Sequence, residues 1–387
     1  MVLISFYGHD VIGDLMPAIT LRPEKIYILY DTRRCRRSDI KNLKDALMNR
    51  ISDAKAVSVE CDSFSVKSVH AAIVKIMMEN KDKKVYVDVT GGPELMTAAG
   101  CSFARDRGAI PIYLDLDKFV LFEVYNEGNR FPAAEIKLDD YLMAIGARQF
   151  SNSHQLPLRE EYDNICEMAE YIFDNLSAWS KLEKYLEAAV GGDEIYEFCI
   201  SRDMFECGYE NYRQVEALLD KFCSLGFLIA KSRMDYEIAG KKYKQYLTTY
   251  GMWLELYIYI NALKYYNEVY LGFIIDWDKD EDTKSNDNEI DVIVMAGSMP
   301  VFISCKTRKP EAKDVCEVGF LANRLGGSRA RSVLATTYPV KDAGDAVNSI
   351  FSRLKKFDVG LIETKDFKKK KAADIFEEAF KSTKSER

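Results

Sequence analysis

The sequence predicts an α/β protein of three consecutive parts: a Rossmann-like domain, a winged-helix connector and a second α/β domain. Strands and amphipathic helices alternate over about the first 125 residues, helices dominate from about residue 151, and strands return after residue 245. A chain of 387 residues is too long for one ordinary hydrophobic core. We therefore place the domains at 1–150, 151–244 and 245–387.

The N-terminal part has five strand candidates, each a short run rich in Val, Ile and Tyr. They are Val2–Phe6, Lys25–Tyr30, Lys55–Glu60, Lys84–Val89 and Ile110–Leu114. Helical stripes lie between them, for example Val66, Val69, Ile73 and Ile76. Continuous apolar strands separated by such helices are typical of a parallel sheet that is covered on both faces.

The middle part is predicted to be helical and to close with a β-hairpin, as in a winged helix. The predicted helices are Glu160–Trp179, Ser180–Ala189 and Asn211–Leu225, and the hairpin follows over 226–238. The candidate recognition helix carries Glu216 and Asp220, with only Arg213 and Lys221 as positive charges. This balance favours a spacer or dimerisation element over DNA reading.

The C-terminal part is predicted to begin with a helix at Gly251–Tyr259 and to continue as an α/β core. After an acidic stretch at 276–288, the expected elements are strands Glu289–Met295 and Pro300–Thr307, helix Asp314–Leu325, strand Ser332–Thr337, helix Asp345–Leu354 and strand Gly360–Thr364. We expect the tail around Lys368–Lys371 to be a solvated helix.

Composition excludes several classes of protein. The net charge of −7 argues against coating nucleic acid through bulk electrostatics. Nine scattered cysteines without a C-x-x-C pair indicate reduced thiols of a cytoplasmic protein. The chain has only three histidines, which argues against a zinc site. Neither a secretory signal nor a membrane-spanning apolar run is visible, so we expect no membrane partner.

Two loops at the carboxyl ends of predicted parallel strands suggest a ligand site, because ligands of such folds bind there. Glycines allow backbone N–H groups to approach a phosphate, and a helix N-terminus favours anions. The candidate ligand-binding residues are Tyr7, Gly8, His9 and Asp10 in the first loop and Thr90, Gly91, Gly92, Pro93, Glu94 and Met96 in the second. A simple tight turn at the glycine pair remains an alternative.

The basic cluster Arg33-Arg34 and Arg36-Arg37 follows the second predicted strand. It could meet phosphates or form a solvated turn, and the charge pattern favours the turn. The glycine loops do not match the G-x-G-x-x-G pattern, which disfavours a dinucleotide-dependent oxidoreductase.

Charged side chains within two predicted strands of the C-terminal part suggest a catalytic centre. Alternation places Glu289 with Asp291 on one face, and Ser304 with Lys306 on one face of the next strand. A buried ion pair would satisfy these groups. The alternative is a metal-dependent phosphodiesterase, in which Asp291, with Glu289 or Glu255, holds a hard divalent cation and Lys306 activates water or stabilises the transition state. Glu255 could equally be a solvent-facing helical residue.

Four motifs in order resemble the PD-(D/E)XK, restriction-endonuclease-like half of CRISPR-associated CARF nucleases. They are Trp253-Leu254-Glu255-x-Tyr257, Ile290-Asp291-Val292, Phe302-Ile303-Ser304-Cys305-Lys306-Thr307 and Leu325-Gly326-Gly327-Ser328-Arg329-Ala330. The two N-terminal loops are similar to those of the CARF sensors, and the winged-helix connector fits the same architecture.

The resemblance implies that a cyclic oligoadenylate, with four adenylates, binds across a homodimer of sensor domains in type III CRISPR antiviral defence. It implies a nuclease that cleaves single-stranded RNA and DNA, with some nicking of duplex DNA, and that uses Mn²⁺ or Mg²⁺. Asp291 and Lys306 match the catalytic acid and lysine. The second acid of the motif falls on Ser304, so either Glu289 and Glu255 replace it or the serine inactivates the site. A nucleotide-responsive winged-helix transcription regulator with an inert C-terminal domain is the alternative function.

Overall fold

The computed structural model describes residues 1–116, 118–152, 161–192, 194–201, 209–276, 288–326, 330–340 and 349–381. The N-terminal domain is a seven-stranded sheet in the order β3-β2-β1-β4-β5-β6-β7. The strands are β1 Val2–Phe6, β2 Lys25–Tyr30, β3 Lys55–Glu60, β4 Val85–Asp88, β5 Ile110–Asp115, β6 Val120–Glu123 and β7 Asn126–Pro132. The first five are parallel, as predicted, and β6 and β7 extend them antiparallel.

Helices cover both faces of this sheet and bury an apolar core on each. They are α1 Val11–Leu21, α2 Arg37–Arg50, α3 Val66–Glu79 and α4 Glu94–Arg107. Strand β1 is fully buried and pairs with both β2 and β4, Val2 lying opposite Lys25 and Val85. Because β1, β2 and β4 are parallel, their carboxyl ends lie at the same edge of the sheet, and the predicted ligand loops lie there.

Helix α5, Leu138–Ile145, is shared by two cores. Tyr141 and Ala144 pack into a core of the N-terminal domain with residues of α1 and α2, whereas Leu138 and Leu142 pack into a core of the C-terminal domain. Arg50 at the end of α2 also forms an ion pair with Asp140, Nε to Oδ2 at 3.4 Å. A displacement of either domain must therefore act on α5.

The connector contains four helices and a three-stranded sheet in the order β10-β11-β9. Its elements are α6 Tyr162–Asp174, α7 Leu176–Val190, β9 Glu197–Cys199, α8 Tyr209–Ser224, β10 Leu228–Ala230, β11 Asp235–Ile238 and α9 Lys241–Thr248. The predicted helix boundary between Trp179 and Ser180 is wrong. The break lies at Asn175, whose φ of −123° and ψ of 35° leave the helical region, and Trp179 is buried within α7.

The C-terminal domain is a six-stranded sheet in the order β16-β15-β14-β13-β12-β8, with β14, β15 and β16 parallel. The strands are β8 Arg148–Asn152, β12 Val269–Asp276, β13 Asn288–Ala296, β14 Met299–Lys306, β15 Arg331–Thr336 and β16 Val359–Glu363. The helices are α10 Met252–Leu263, α11 Ala312–Gly326, α12 Ile350–Phe357, α13 Ala372–Phe380 and a 3-10 helix at Thr364–Lys368.

Three features of this domain differ from the sequence prediction. Strands β8 and β12 were not predicted, and the proposed domain boundary at residue 150 falls within β8. Lys368–Lys371 do not form a solvated helix: Lys371 instead caps α13, which buries Phe376 and Phe380. The interior of the acidic stretch, 277–287, and residues 341–348, where a helix was expected to begin, lie outside the described residues.

One large core joins the connector to the C-terminal sheet. It contains Trp179 and Phe222 of the connector, most of α10, and Val292 and Ile303 of the sheet. The connector is thus packed firmly against the C-terminal domain. Within the described ranges, no helix is both long and apolar enough to cross a bilayer.

Candidate functional sites

The first candidate site is a pocket of about 170 Å³ at the carboxyl ends of β1, β2 and β4. Seven of the ten predicted ligand residues line it: Tyr7, Gly8, His9, Gly92, Pro93, Glu94 and Met96. Asp31, Arg34 and Cys35, from the loop after β2, also line it. Sequence reasoning did not include these three, although Arg34 belongs to the basic cluster that follows the second strand.

Three predicted residues support the pocket and do not line it. Asp10 caps α1 by accepting the N–H of Ile12 at 3.2 Å. The Thr90 hydroxyl accepts the N–H of Leu114 at 2.9 Å, which ties the loop to β5. Gly91 lies with its Cα close to where a side chain on Gly8 would stand. Their role in the structure is to hold the two loops together.

The glycines of this site are required by the approach of the two loops to each other. A Cβ on Gly8 would stand 2.4 Å from the backbone nitrogen of Gly92, and a Cβ on Gly92, whose φ is +91°, would stand 2.5 Å from Cβ of Phe6. Both separations are far below van der Waals contact, so neither position accepts a side chain without rearrangement. The close approach of the loops gives these glycines an internal packing role, and their contact with a phosphate stays a prediction.

Two buried carboxyl groups lie beneath these loops. Asp14 accepts the N–H of Gly8 at 3.0 Å, and burial raises the pKa of Asp14 well above its ordinary value. Asp88 accepts the N–H of Thr90 at 2.9 Å and the hydroxyl of Ser5 at 3.2 Å, and burial raises the pKa of Asp88 to about 6. These hydrogen bonds fix the loop backbones from below.

The basic cluster is divided by its contacts. Arg33 forms ion pairs with Asp31 and Asp62, and the pKa of Asp31 is held far below its usual range mainly by the Arg33 guanidinium. Arg34 is exposed at the pocket, and its backbone carbonyl lies 3.0 Å from Nε2 of His9. Arg34 is therefore the arginine of the cluster that lines the pocket, and its guanidinium lies 5.9 Å from the ring of Phe64.

The second candidate site lies where β13 and β14 separate. Oδ2 of Asp291 accepts the N–H of Cys305 at 2.6 Å and lies 3.5 Å from Nζ of Lys306 and 3.4 Å from Oγ of Ser304. The side chains of Lys306 and Asp291 are 25% and 20% exposed, so a substrate can reach both. The prediction that these residues are neighbours is confirmed by these contacts.

The strand is irregular at Asp291, contrary to the simple alternation that the sequence suggested. Ile290 packs into one core of the C-terminal domain and Val292 into the other. The ladder between β13 and β14 ends at Val292 opposite Ile303. On the neighbouring strand β12, Gly272, with φ +57°, lies at the same level. This break lets one carboxylate oxygen of Asp291 reach the N–H of Cys305 beyond the end of the ladder.

Glu255 and Glu289 are the other two acidic residues of the same centre. Glu255 is partly buried in the first turn of α10, and its pKa is raised well above the ordinary value by burial and by the charges of Asp291 and Glu289. Lys306 opposes this shift. Glu289 is exposed on β13. Glu255 thus interacts electrostatically with Asp291, Glu289 and Lys306, and Ser304 is a neutral neighbour of Asp291.

The donor set suits a divalent metal in its chemistry. Carboxylate oxygens are the ligands that Mg²⁺ and Mn²⁺ prefer, and three carboxylates beside one lysine leave an excess of negative charge. Among the described residues, however, no three His, Cys, Asp or Glu side chains already stand at a spacing that would hold a metal ion. The predicted ligands Glu255, Glu289 and Asp291 therefore remain a prediction.

The loop after Lys306 is fixed by a contact that sequence reasoning missed. Arg308 donates two hydrogen bonds to the buried Asp314, at 2.8 and 2.6 Å, which tie this loop to α11. The spacing of an arginine six residues before an aspartate at a helix start could have signalled it. The centre of the motif Leu325–Ala330, residues 327–329, lies outside the described residues.

Known proteins match the N-terminal part of the chain in sequence and the whole chain in fold. Residues 2–118 match a family model described as "HFX_2341_N:-like, N-terminal". No curated protein sequence matches the chain. Among solved structures, protein VC1899 from Vibrio cholerae is 16% identical with a TM-score of 0.81, the match covering 97% of each chain.

Two further structures are of proteins with a described activity or ligand. Can2 from Sulfobacillus thermosulfidooxidans, solved with cyclic tetra-adenylate, is 15% identical with a TM-score of 0.71, over 98% of this chain and 99% of that one. A type III CRISPR defence DNA nuclease activated by cyclic oligoadenylate is 14% identical with a TM-score of 0.52, over 87% of this chain and 45% of that one. The predicted likeness to CARF nucleases is confirmed at the level of the fold.

Proposed function

We propose that this chain, which has the fold of Can2 along its whole length, is a metal-dependent nuclease activated by cyclic tetra-adenylate in type III CRISPR defence. The observation that carries the proposal is the centre at the end of β14, where Asp291 and Lys306 lie 3.5 Å apart beside Glu255. A purely structural ion pair would need neither the additional acids nor access to solvent. We further propose single-stranded RNA and DNA as substrates.

In this proposal each side chain of the centre has one task. The N–H of Cys305 and the ammonium of Lys306 orient the Asp291 carboxylate. Lys306 then stabilises the charge that develops on the phosphoryl oxygens, and Glu255 and Glu289 complete the anionic surroundings. A divalent metal, held by Asp291, Glu255 and Glu289, would supply Lewis-acid activation of the phosphate and of the attacking water.

The messenger is proposed to bind the glycine-lined pocket of two protomers, because a ring of four equal units can present equivalent halves to a two-fold dimer. Its phosphates would meet Arg34 and the N-terminal end of α4, where the helix dipole favours anions. Binding would reach the nuclease centre through α5, which belongs to cores of both domains.

Cleavage of a labelled single strand tests the proposal, measured with and without cyclic tetra-adenylate and with Mn²⁺ or a chelator. We expect cleavage that needs both messenger and metal. Asp291→Ala should abolish cleavage and leave calorimetric messenger binding unchanged, because the two sites lie in separate domains. Tyr265→Ala, at an exposed tyrosine beyond α10, is the matched control. Chelator-resistant cleavage, or equal rates without messenger, would contradict the proposal.

A further inference from the structure

A second cavity, of about 390 Å³, adjoins the catalytic centre and is unused by the proposed chemistry. It lies between α7 of the connector, the start of α10 and the loops that follow β14 and β15. Tyr250, Trp253, Thr307 and Tyr338 are among its lining residues. Its size falls within the range of ordinary small-molecule sites.

The cavity is joined to the centre along two elements of the chain. Thr307 directly follows Lys306, and Trp253 lies two residues before Glu255 on α10. Gly251, the N-cap of α10, has a φ of +83°. A Cβ on Gly251 would stand 3.3 Å from Oγ1 of Thr307, so the start of α10 contacts the loop after β14 beside the cavity. The cavity therefore begins one residue beyond Lys306 along the chain, although Lys306, Asp291 and Glu255 do not themselves line it.

The walls of the cavity combine exposed aromatic rings with neutral polar groups. Tyr250 and Tyr338 are 44% and 43% exposed, which leaves their rings open to a partner. Thr337 donates its hydroxyl to the carbonyl of Thr307 at 3.2 Å and joins the two loops. Among the described lining residues Glu183 is the only charged one, and it accepts the N–H of Gly251 at 2.9 Å. Such a lining suits a flat, uncharged ring and not a phosphate.

We propose that this cavity receives one base of a single-stranded substrate, stacked against Tyr338 or Tyr250, while the adjoining phosphate lies at Lys306. This inference rests on the proposed function and identifies where the substrate is held. Stacking of bases on aromatic side chains tolerates any sequence and requires an unpaired base. The cavity would therefore make the enzyme select unpaired strands.

Binding of a dye-labelled single-stranded oligodeoxynucleotide, measured by fluorescence anisotropy with saturating cyclic tetra-adenylate, tests the inference without relying on cleavage. All variants carry Lys306→Ala so that the strand stays intact. Tyr338→Ala should weaken binding at least about fivefold, the lower end for loss of one stacked base, whereas Tyr338→Phe should stay within about twofold. Tyr265→Ala, at a tyrosine 51% exposed, should bind like the parent chain. A urea-unfolding transition unchanged from that of the parent chain verifies folding.

The cavity and the proposed function can fail separately. Should Tyr338→Ala and Tyr250→Ala both bind the strand as tightly as Tyr265→Ala, the base site is overturned, whether or not the wild-type chain cleaves. Tyrosine-dependent binding without any cleavage would overturn the nuclease and leave the base site standing. No strand binding by the Lys306→Ala parent, together with no cleavage by the wild-type chain, would overturn both. Support for both requires cleavage together with tyrosine-dependent binding.

Discussion

Replacing Ser304 tests whether this centre works without the second acid of the PD-(D/E)XK pattern. Oγ of Ser304 lies 3.4 Å from Oδ2 of Asp291, which is long for a hydroxyl hydrogen bond, while the N–H of Cys305 reaches the same oxygen at 2.6 Å. Losing the hydroxyl should cost no more than about 1.5 kcal/mol, the upper range of one neutral hydrogen bond. We therefore expect Ser304→Ala to retain cleavage to within about tenfold.

Lys306→Ala should be far more damaging than Ser304→Ala. It removes the ammonium that lies 3.5 Å from Asp291 and that opposes the negative charge near Glu255. A charged group placed on the developing phosphorane contributes several kcal/mol, so we expect a loss of about a hundredfold or more. Ser304→Glu adds a fourth carboxylate beside a single lysine, and we expect it to reduce cleavage.

Single-turnover cleavage of a single-stranded substrate, with saturating cyclic tetra-adenylate and Mn²⁺, measures all three variants against the wild type. The reasoning is refuted if the wild type is inactive and Ser304→Glu restores cleavage. The serine would then be an inactivating substitution, and the assignment of Glu289 as a replacement ligand would be wrong. Equal losses in Ser304→Ala and Lys306→Ala would also contradict the assigned roles.

Three further predictions concern the sensor, the connector and their coupling. Arg34→Ala should weaken cyclic tetra-adenylate binding by about tenfold, the scale of one charge-assisted contact. Arg33→Ala should weaken binding less, because Arg33 already forms ion pairs with carboxylates. Equal affinities of the two variants in isothermal calorimetry would contradict this. Burial raises the pKa of Glu183 from 4.5 to about 7, so the folded protein binds a proton that the unfolded chain releases between these values. The free energy of unfolding of the wild type should fall by about 2 to 3 kcal/mol from pH 5 to pH 8, relative to that of Glu183→Gln. If urea unfolding gives both chains the same dependence on pH, Glu183 does not have this effect. Arg50→Ala, which removes the ion pair to Asp140, should reduce the ratio of cleavage rates with and without messenger severalfold, and an unchanged ratio would exclude that contact from the coupling.

The first five strands of the N-terminal sheet could be predicted nearly to the residue, because each is a short run rich in Val, Ile and Tyr between clear helical stripes. Val2–Phe6, Lys25–Tyr30 and Lys55–Glu60 have the predicted bounds. Strand β7, Asn126–Pro132, was missed because its sequence, mostly polar and exposed, has no apolar periodicity. The sequence did not predict that helix α5 connects the cores of two domains. Its apolar residues pack against both domains, and only the tertiary structure shows this.

The sequence indicated which residues form the candidate catalytic centre, but only part of their arrangement in space. Charged residues within apolar strands indicated Asp291 and Lys306, and their contact follows from the pairing of β13 with β14. The irregularity at Asp291 could not be read from alternation, although Gly272 on the neighbouring strand was a possible signal. The cavity beside Thr307 depends on how the connector packs against α10, and no local pattern specifies that packing.

Strand β8 has a consequence for what happens when the chain is cut. It precedes the connector in sequence but closes the C-terminal sheet, with Gln149 opposite Ile275 and Asn152 opposite Phe273. A fragment that begins after β8 would leave the backbone groups of β12 unpaired along an open edge, which invites aggregation. Under the proposed function, proteolytic loss of the N-terminal domain together with β8 should therefore favour an aggregating remnant over an active enzyme without its control domain.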